Sequence, residues 1–214
     1  KFSKKDISRA GLIKQKEGAD ENNFYDRFRG RIMFPLQDIH GNIIAFAGRI
    51  IDETEPKYLN SPETPLYVKG RHLFGFNRAK EAIRKKNRAL IVEGYLDQMR
   101  AHQNGIRNTV ATCGTALTLE QASLLKNHTK QVTLIFDSDS AGQAATKKGF
   151  EVLLSQGMSI EVLLLPSGHD PDSFIHQFGP EKFLEKLKNA KPFVEIFIDD
   201  VISDGDLSTP MGKV

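Results

Sequence analysis

Carboxylates recur in this chain of 214 residues just after apolar runs. Glu93 follows Ala89-Leu-Ile-Val92, Asp137 and Asp139 follow Gln131-Val-Thr-Leu-Ile-Phe136, and Asp170 and Asp172 follow the run at 159–165. Short apolar runs rich in β-branched residues predict buried strands. An acid just past the end of a parallel strand points into the crevice where α/β sheets bind ligands. Converging carboxylates repel by about 4 kcal/mol per close pair near a surface unless a cation neutralises them. Oxygen donors with no His or Cys among them select Mg2+, with Mn2+ as its substitute. Such ions share their remaining positions with substrate phosphates, and two of them about 4 Å apart can clamp both ends of a phosphoryl displacement. The chemistry expected of these groups is metal-dependent phosphoryl transfer. Asp97, one turn into the following helix on the same face as Glu93, could assist a ligand or cap the helix. The small residues Ser138, Ser140, Ala141 and Gly142 leave room for phosphates at a helix N-terminus. Plainer readings stand beside these: Asp137-Ser-Asp139 as an N-cap, Asp170-Pro-Asp172 as a turn, His169 as a solvated loop residue. Recurrence at three strand ends favours the metal.

The elements that must position these acids are legible from residue 89 onward. Strand and helix patterns alternate, which predicts a parallel α/β sheet flanked by helices. Tyr95 to Gln103 reads as a helix stopped by Asn104-Gly105. Strands are expected at 109–113, 131–136 and 159–165. A helix starts at Thr118 with the capping box Thr118-Leu-Glu-Gln121, another runs from Ser140 to about Ser155, and two more lie around Gly179-Pro180. The strand order is not readable. Domain boundaries are expected at 1–88, a smaller basic mixed α+β part, 89–175, the sheet that carries the acids, and 176–214, a helical segment.

The first part differs in charge. Residues 1–88 carry 19 Lys+Arg against 11 Asp+Glu, and residues 89–214 carry 11 against 16, within a net charge of +3. A basic half joined to an acidic half suits a polyanion on one side and cations on the other. Residues 32–36 and 43–51 read as an antiparallel hairpin with Gly41 in its connection. Arg27, Arg29 and Arg31 alternate, so at strand period they line one face, and Arg49 emerges from the returning strand. Residues 56–65 read as a loop held by three prolines that presents Lys57, Tyr58 and Asn60, a cation, a ring and an amide suited to a nucleotide or a sugar-phosphate backbone. Lys69 and Arg71 stand among aromatics, a pattern that suits single-stranded nucleic acid or a core. The helix at 77–86 ends on a Lys/Arg cluster that suits its dipole.

One cysteine, Cys113, excludes an internal disulfide and a multi-cysteine zinc site and fits a reducing cytosol. No apolar run approaches the ~20 residues of a membrane helix, and no secretory signal precedes the first segment. The opening Lys1-Phe-Ser-Lys-Lys-Asp6 and the closing Ser208-Thr-Pro-Met211 read as the cut ends of a longer protein.

Val92-Glu-Gly-Tyr-Leu-Asp97, Phe136-Asp-Ser-Asp-Ser-Ala-Gly142 and Asp170-Pro-Asp172 resemble the glutamate and Asp-x-Asp motifs of the Toprim fold. Asp26-Arg-Phe-Arg-Gly-Arg-Ile-Met-Phe-Pro35, Ala47-Gly-Arg49, Pro56-Lys-Tyr-Leu-Asn-Ser-Pro-Glu-Thr64 and Lys69-Gly-Arg71 narrow the resemblance to the bacterial replicative DNA primases. The resemblance covers nearly the whole chain. It implies a central RNA-polymerase domain that makes short RNA primers on single-stranded DNA from ribonucleoside triphosphates. It implies Glu93, Asp137 and Asp139 as catalytic metal-site carboxylates, with Asp170 and Asp172 completing the acidic cluster. It places Arg27, Arg29, Arg49, Lys57, Tyr58, Asn60 and Lys69 near template or nucleotide. It also implies a bacterial cytoplasmic location at the replication fork, a zinc module before these residues and a helicase-binding module after them. Three other readings compete: another Toprim enzyme such as a topoisomerase or nuclease, a haloacid-dehalogenase-like phosphatase with Asp137 as nucleophile, and a non-catalytic nucleic-acid-binding fragment.

Overall fold

A computed structural model describes residues 2–16, 18, 23–52, 55–114, 116–135 and 140–196, with only the backbone at 140–147. Helix α1 (Lys4–Arg9) begins at Ser3, whose hydroxyl accepts the Asp6 N–H at 3.1 Å. Strands β1 (Ile13–Gln15) and β2 (Phe24–Asp26) form an antiparallel ribbon. Strands β3 (Arg31–Gln37) and β4 (Ile43–Ile50) form the expected hairpin, with Gly41 at φ 93° in its connection. The expected single face of Arg27, Arg29 and Arg31 does not form. Only Arg31 lies in a strand, because Gly30 at φ 62° ends the extended path and the Arg27 N–H turns back to the Leu12 carbonyl at 2.9 Å. The proline-held loop also holds a strand: β5 (Tyr58–Asn60) pairs with β4, Tyr58 opposite Arg49 and Asn60 opposite Ala47.

After a 3-10 turn at Lys69–Arg71, α2 (Phe76–Lys86) leads into the second sheet. Its strands are β6 (Ala89–Val92), β7 (Thr109–Ala111), β8 (Gln131–Leu134), β9 (Ser159–Val162) and the two-residue β10 (Lys191–Pro192). They lie in the order β10-β9-β8-β6-β7, parallel except for β10. The connecting helices are α3 (Tyr95–Gln103), α4 (Leu119–Lys126), α5 (Ser140–Ser155), α6 (Pro171–Phe178) and α7 (Pro180–Lys188). Strands at 109–113 and 159–165 are shorter than expected. Cys113 takes φ 56°, in the left-handed region where few side-chain-bearing residues continue a strand.

The parallel sheet is buried on both faces, as its apolar runs require. Leu90, Val92, Ala111 and Leu163 join one cluster with Tyr95, Phe174 and Phe183 from α3, α6 and α7 and with Phe34 and Ala47 from the three-stranded sheet. Ala89, Ile91, Val110, Val132 and Leu134 join the other, with Ile83 of α2, Leu125 of α4 and Leu153 of α5. The period-2 alternation of β6 thus feeds two cores. Strand β6 sits between β7 and β8 with all four residues buried, so it fixes where residue 93 emerges. No helix among the described residues is long and apolar enough to cross a membrane.

Candidate active site

Glu93 leaves the C-terminal end of β6, an interior strand between β7 and β8. Its carbonyl accepts the Cys113 N–H at 2.9 Å, and the Ile91 carbonyl accepts the Ile135 N–H at 2.9 Å, so the ends of β7, β6 and β8 are in register. The Glu93 side chain is half-buried and its Oε1 is buried. Asp137 and Asp139 lie outside the described residues, two and four positions beyond Ile135.

The other acids are engaged by the protein. Asp97, 6% exposed, accepts the Gly94 N–H at Oδ2 (2.9 Å) and the Asp172 N–H at Oδ1 (3.1 Å). It therefore caps its own helix and ties α3 to the first turn of α6. Asp170 is the N-cap of α6: its Oδ1 accepts the Ser173 N–H at 2.7 Å, and the Ser173 hydroxyl accepts the Asp170 N–H at 3.1 Å. Asp172 accepts the Arg100 Nε–H at 2.6 Å in a charge-assisted ion pair. Among the described residues no three His, Cys, Asp or Glu side chains are grouped closely enough to hold a metal ion. The oxygen-only donor set and the buried Glu93 oxygen at the strand end fit a hard divalent cation. The oxygens of Asp97, Asp170 and Asp172 already have donors, which fits support of that strand end rather than first contact with an ion.

The three-stranded sheet meets this strand end through Tyr95, two residues past Glu93. The Tyr95 hydroxyl donates to Asn60 Oδ1 at 2.9 Å, its ring stacks on Phe34 with centroids 5.4 Å apart, and Phe74 packs edge-on at 4.9 Å. Burial pushes the Tyr95 phenol and the Cys113 thiol beside it far above their ordinary pKa values. Arg27 holds the other side of Asn60, with Nε and Nη2 donating to its carbonyl at 3.3 and 3.0 Å. The Tyr58 ring lies 5.8 Å from that of Tyr95 and 5.9 Å from the Arg49 guanidinium. Burial raises the Tyr58 pKa, Arg49 opposes that, and the charges of Asp97 and Asp172 add to it. Tyr58 thus stands where the basic sheet meets the acids. Lys69 Nζ donates to the Gly114 carbonyl at 3.3 Å, which brings the 3-10 turn to the end of β7.

The remaining cations divide. Arg29 packs over Tyr25 at 4.8 Å, and the Lys57 side chain is exposed. Sequence reasoning gave Tyr95 and Arg100 no place of their own at the site, although a position two residues after a strand-end acid is a signal for Tyr95, and Arg100 lies at i+3 from Asp97, on the face that meets α6. Arg31, expected on one face with Arg27 and Arg29, instead donates from Nη1 to the carbonyls of Gly48 (3.1 Å) and Pro56 (2.9 Å) and so holds β5 against the hairpin.

A strand-end glutamate on a parallel sheet flanked by capped helices is the arrangement that the Toprim resemblance implies. A family description named Toprim-like matches residues 90–175, and one named DNA primase catalytic core, N-terminal domain, matches residues 1–80. The chain is 43% identical over 207 residues to the DNA primase of Clostridium acetobutylicum, which covers 96% of this chain and 34% of that protein. It superposes with a TM-score of 0.84 on the RNA polymerase domain of Mycobacterium tuberculosis primase DnaG, 31% identical, over 96% of this chain and 68% of that one. A DnaG primase catalytic domain solved bound to single-stranded DNA is 36% identical, with a TM-score of 0.88, over 97% of this chain and 65% of that one. The chain belongs to the bacterial DNA primase family and spans about a third of the length of its curated relatives.

Proposed function

We propose that this chain is the RNA-polymerising core of a primase, which joins ribonucleoside triphosphates into short RNA primers on a single-stranded DNA template during replication. The observation that carries this reading is the Tyr95–Asn60 hydrogen bond, which brings the basic sheet to the strand end where Glu93 emerges. A relative at 36% identity with single-stranded DNA bound supports the template assignment. Glu93, Asp137 and Asp139 are the carboxylates proposed to hold Mg2+, with Mn2+ as its substitute. A divalent ion bound there supplies charge stabilisation at the attacking 3′-hydroxyl and at the leaving pyrophosphate.

The chain's own groups do the rest. Asp97, Asp170 and the Arg100–Asp172 pair hold α3 and α6 so that Glu93 keeps its direction. Arg27 fixes Asn60, and Asn60 fixes Tyr95. The Tyr58 ring with Arg49, the exposed Lys57 and Lys69 offer stacking and phosphate contacts to template or nucleotide, and Arg29 offers a further phosphate contact from the β2–β3 bend. Residues 1–88 act as the basic part and 89–175 as the catalytic sheet; of the segment 176–214 expected to be helical, the described residues supply α7 and β10, and those beyond 196 lie outside the described residues. In the complete protein we place this core in the bacterial cytoplasm, with the replicative helicase joined through a further module.

The test is primer synthesis by the full-length protein. Glu93→Gln, Asp137→Ala and Asp139→Ala are each expected to reduce synthesis by about a thousandfold or more, with an unchanged circular dichroism spectrum. Ordinary activity in any one of the three rejects that residue's role.

A further inference from the structure

A cleft of about 700 Å3 opens between β3 and the C-terminal half of α3. Its floor shares Phe34 and Phe74 with the packing around Tyr95, but its open rim lies further along α3 than the candidate active site. Met99, His102 and Gln103 line it, whereas Glu93 precedes the helix, and α3 is about 13 Å long at 1.5 Å per residue. Its floor is apolar, from Phe34, Pro35 and Phe74. Its rim leaves Ile32, Met33 and Met99 54%, 38% and 45% exposed. Two methionines on one rim give a surface that adapts to different apolar side chains.

The charge is one-sided. Arg78 and Arg107 stand on the rim, and the described lining includes no carboxylate. Among the described residues Arg84, Arg88 and Arg100 form ion pairs with Glu81, Glu161 and Asp172, while Arg78 and Arg107 form none. Both guanidiniums face His102: after burial, which is the larger cause, their charges further disfavour its protonation, against the Thr109 carbonyl that its Nε2 meets at 2.9 Å.

The backbone beside the cleft selects the shape of an occupant. β3 is an outer strand, and its free edge is where another strand would add. Phe46 directs its N–H to Ser61 Oγ (3.0 Å) and receives the Ser61 N–H at its carbonyl (2.8 Å), both on the β5 side. Pro35, paired with Phe46, therefore turns its own nitrogen to the free edge, where the ring supplies no donor. An added strand would lose a bond at the middle of β3. A helix needs none of them.

We propose that this cleft docks an acidic amphipathic helix of a partner protein, its apolar stripe on Met33, Phe74 and Met99 and its carboxylates on Arg78 and Arg107. Helices seat in such grooves through apolar anchors at i, i+3, i+4 and i+7. Guanidiniums on the rim supply orientation and encounter rate through charge-assisted bonds. A nucleic-acid strand fits less well, because Phe34 is already stacked on Tyr95 and Phe74 packs edge-on against it, so bases find thioethers rather than open rings.

The test uses the 214-residue chain and a dye-labelled synthetic peptide with Leu and Phe at those four spacings and Glu elsewhere, read by fluorescence anisotropy. Saturable binding is expected, strongest at low salt and about tenfold weaker for each of Arg78→Glu and Arg107→Glu. Met99→Asp is expected to abolish it, and the doubly reversed variant to bind instead a peptide with Lys in place of Glu. Circular dichroism reports whether each variant folds, and Arg78→Gln and Met99→Gln serve as milder replacements. Primer synthesis by the full-length protein carrying the same substitutions is expected to be unchanged. Absence of saturable binding, or binding indifferent to all of these substitutions, overturns the proposal. So does an oligonucleotide affinity that falls with the arginine reversals and not with Met99→Asp, which would make the cleft a nucleic-acid surface.

Discussion

At the scale of single residues, Tyr95 joins the two sheets by both packing and a hydrogen bond. It stacks on Phe34, meets Phe74 edge-on and donates to Asn60. Tyr95→Phe keeps the packing and removes only the donor. It is expected to cost about 1 kcal/mol in urea unfolding. If Asn60 contacts the nucleotide or template, the same change raises KM in primer synthesis more than it lowers kcat. An unchanged KM with unchanged stability would show that the hydroxyl carries neither load. Gly75 shows how tightly this region is built. At φ 77°, a Cβ added there would collide with Gln98 Nε2, which itself donates to the Thr109 carbonyl.

At the scale of elements, helix caps set where the acids lie. Thr118 caps α4 through the Gln121 N–H at 3.2 Å, its hydroxyl also reaches the Gly70 carbonyl, and Gln121 donates to the His72 carbonyl at 2.8 Å. Thr118→Ala is expected to cost about 1 to 2 kcal/mol, because it removes a cap and a bond to the 3-10 turn at once, and thermal unfolding reads it directly. Much of this level was legible in the sequence. The Thr118-x-x-Gln121 box, the Asn104-Gly105 stop and the continuous apolar run of β6 are local signals, and local physics decided them. Glu93 was legible for the same reason, since a buried run must end somewhere and this one ends on an acid. The caps made by Asp97 and Asp170 are local contacts to Gly94 and Ser173, and a cap was among the readings open for Asp97. The ties of Asp97 and Arg100 to Asp172 were not legible, because they depend on α3 meeting α6, a contact between residues about seventy positions apart in the chain. The face expected of Arg27, Arg29 and Arg31 failed on one glycine, whose backbone angle is a tertiary outcome.

At the scale of the whole molecule, the first cluster mixes Phe34, Leu36 and Ala47 of the hairpin sheet with Val92, Tyr95 and Phe174 of the parallel one. Residues 1–88 and 89–175 therefore share a core although their charges differ, and unfolding is expected to follow one transition by fluorescence and by circular dichroism. Its pH dependence follows from two histidines. Burial lowers the pKa of His102 and of His72 in the fold. As pH falls, the unfolded chain takes up these protons first, near pH 6.5, so stability is full above that value and is lost as pH drops through it toward the lower folded values. His102→Gln is expected to flatten the fall between about pH 7 and pH 5, measured by urea midpoints, and an unaltered slope would assign the dependence elsewhere. One further consequence lies at the margins of the parallel sheet. On one side Phe74 and Ala111 exchange backbone hydrogen bonds at 2.9 and 3.1 Å, so the connector from the basic part closes the outer side of β7. On the other, β10 is two residues long and includes Pro192. Neither margin of the parallel sheet, among the described residues, presents a long open edge on which a second copy of the chain could add a strand and begin a fibril.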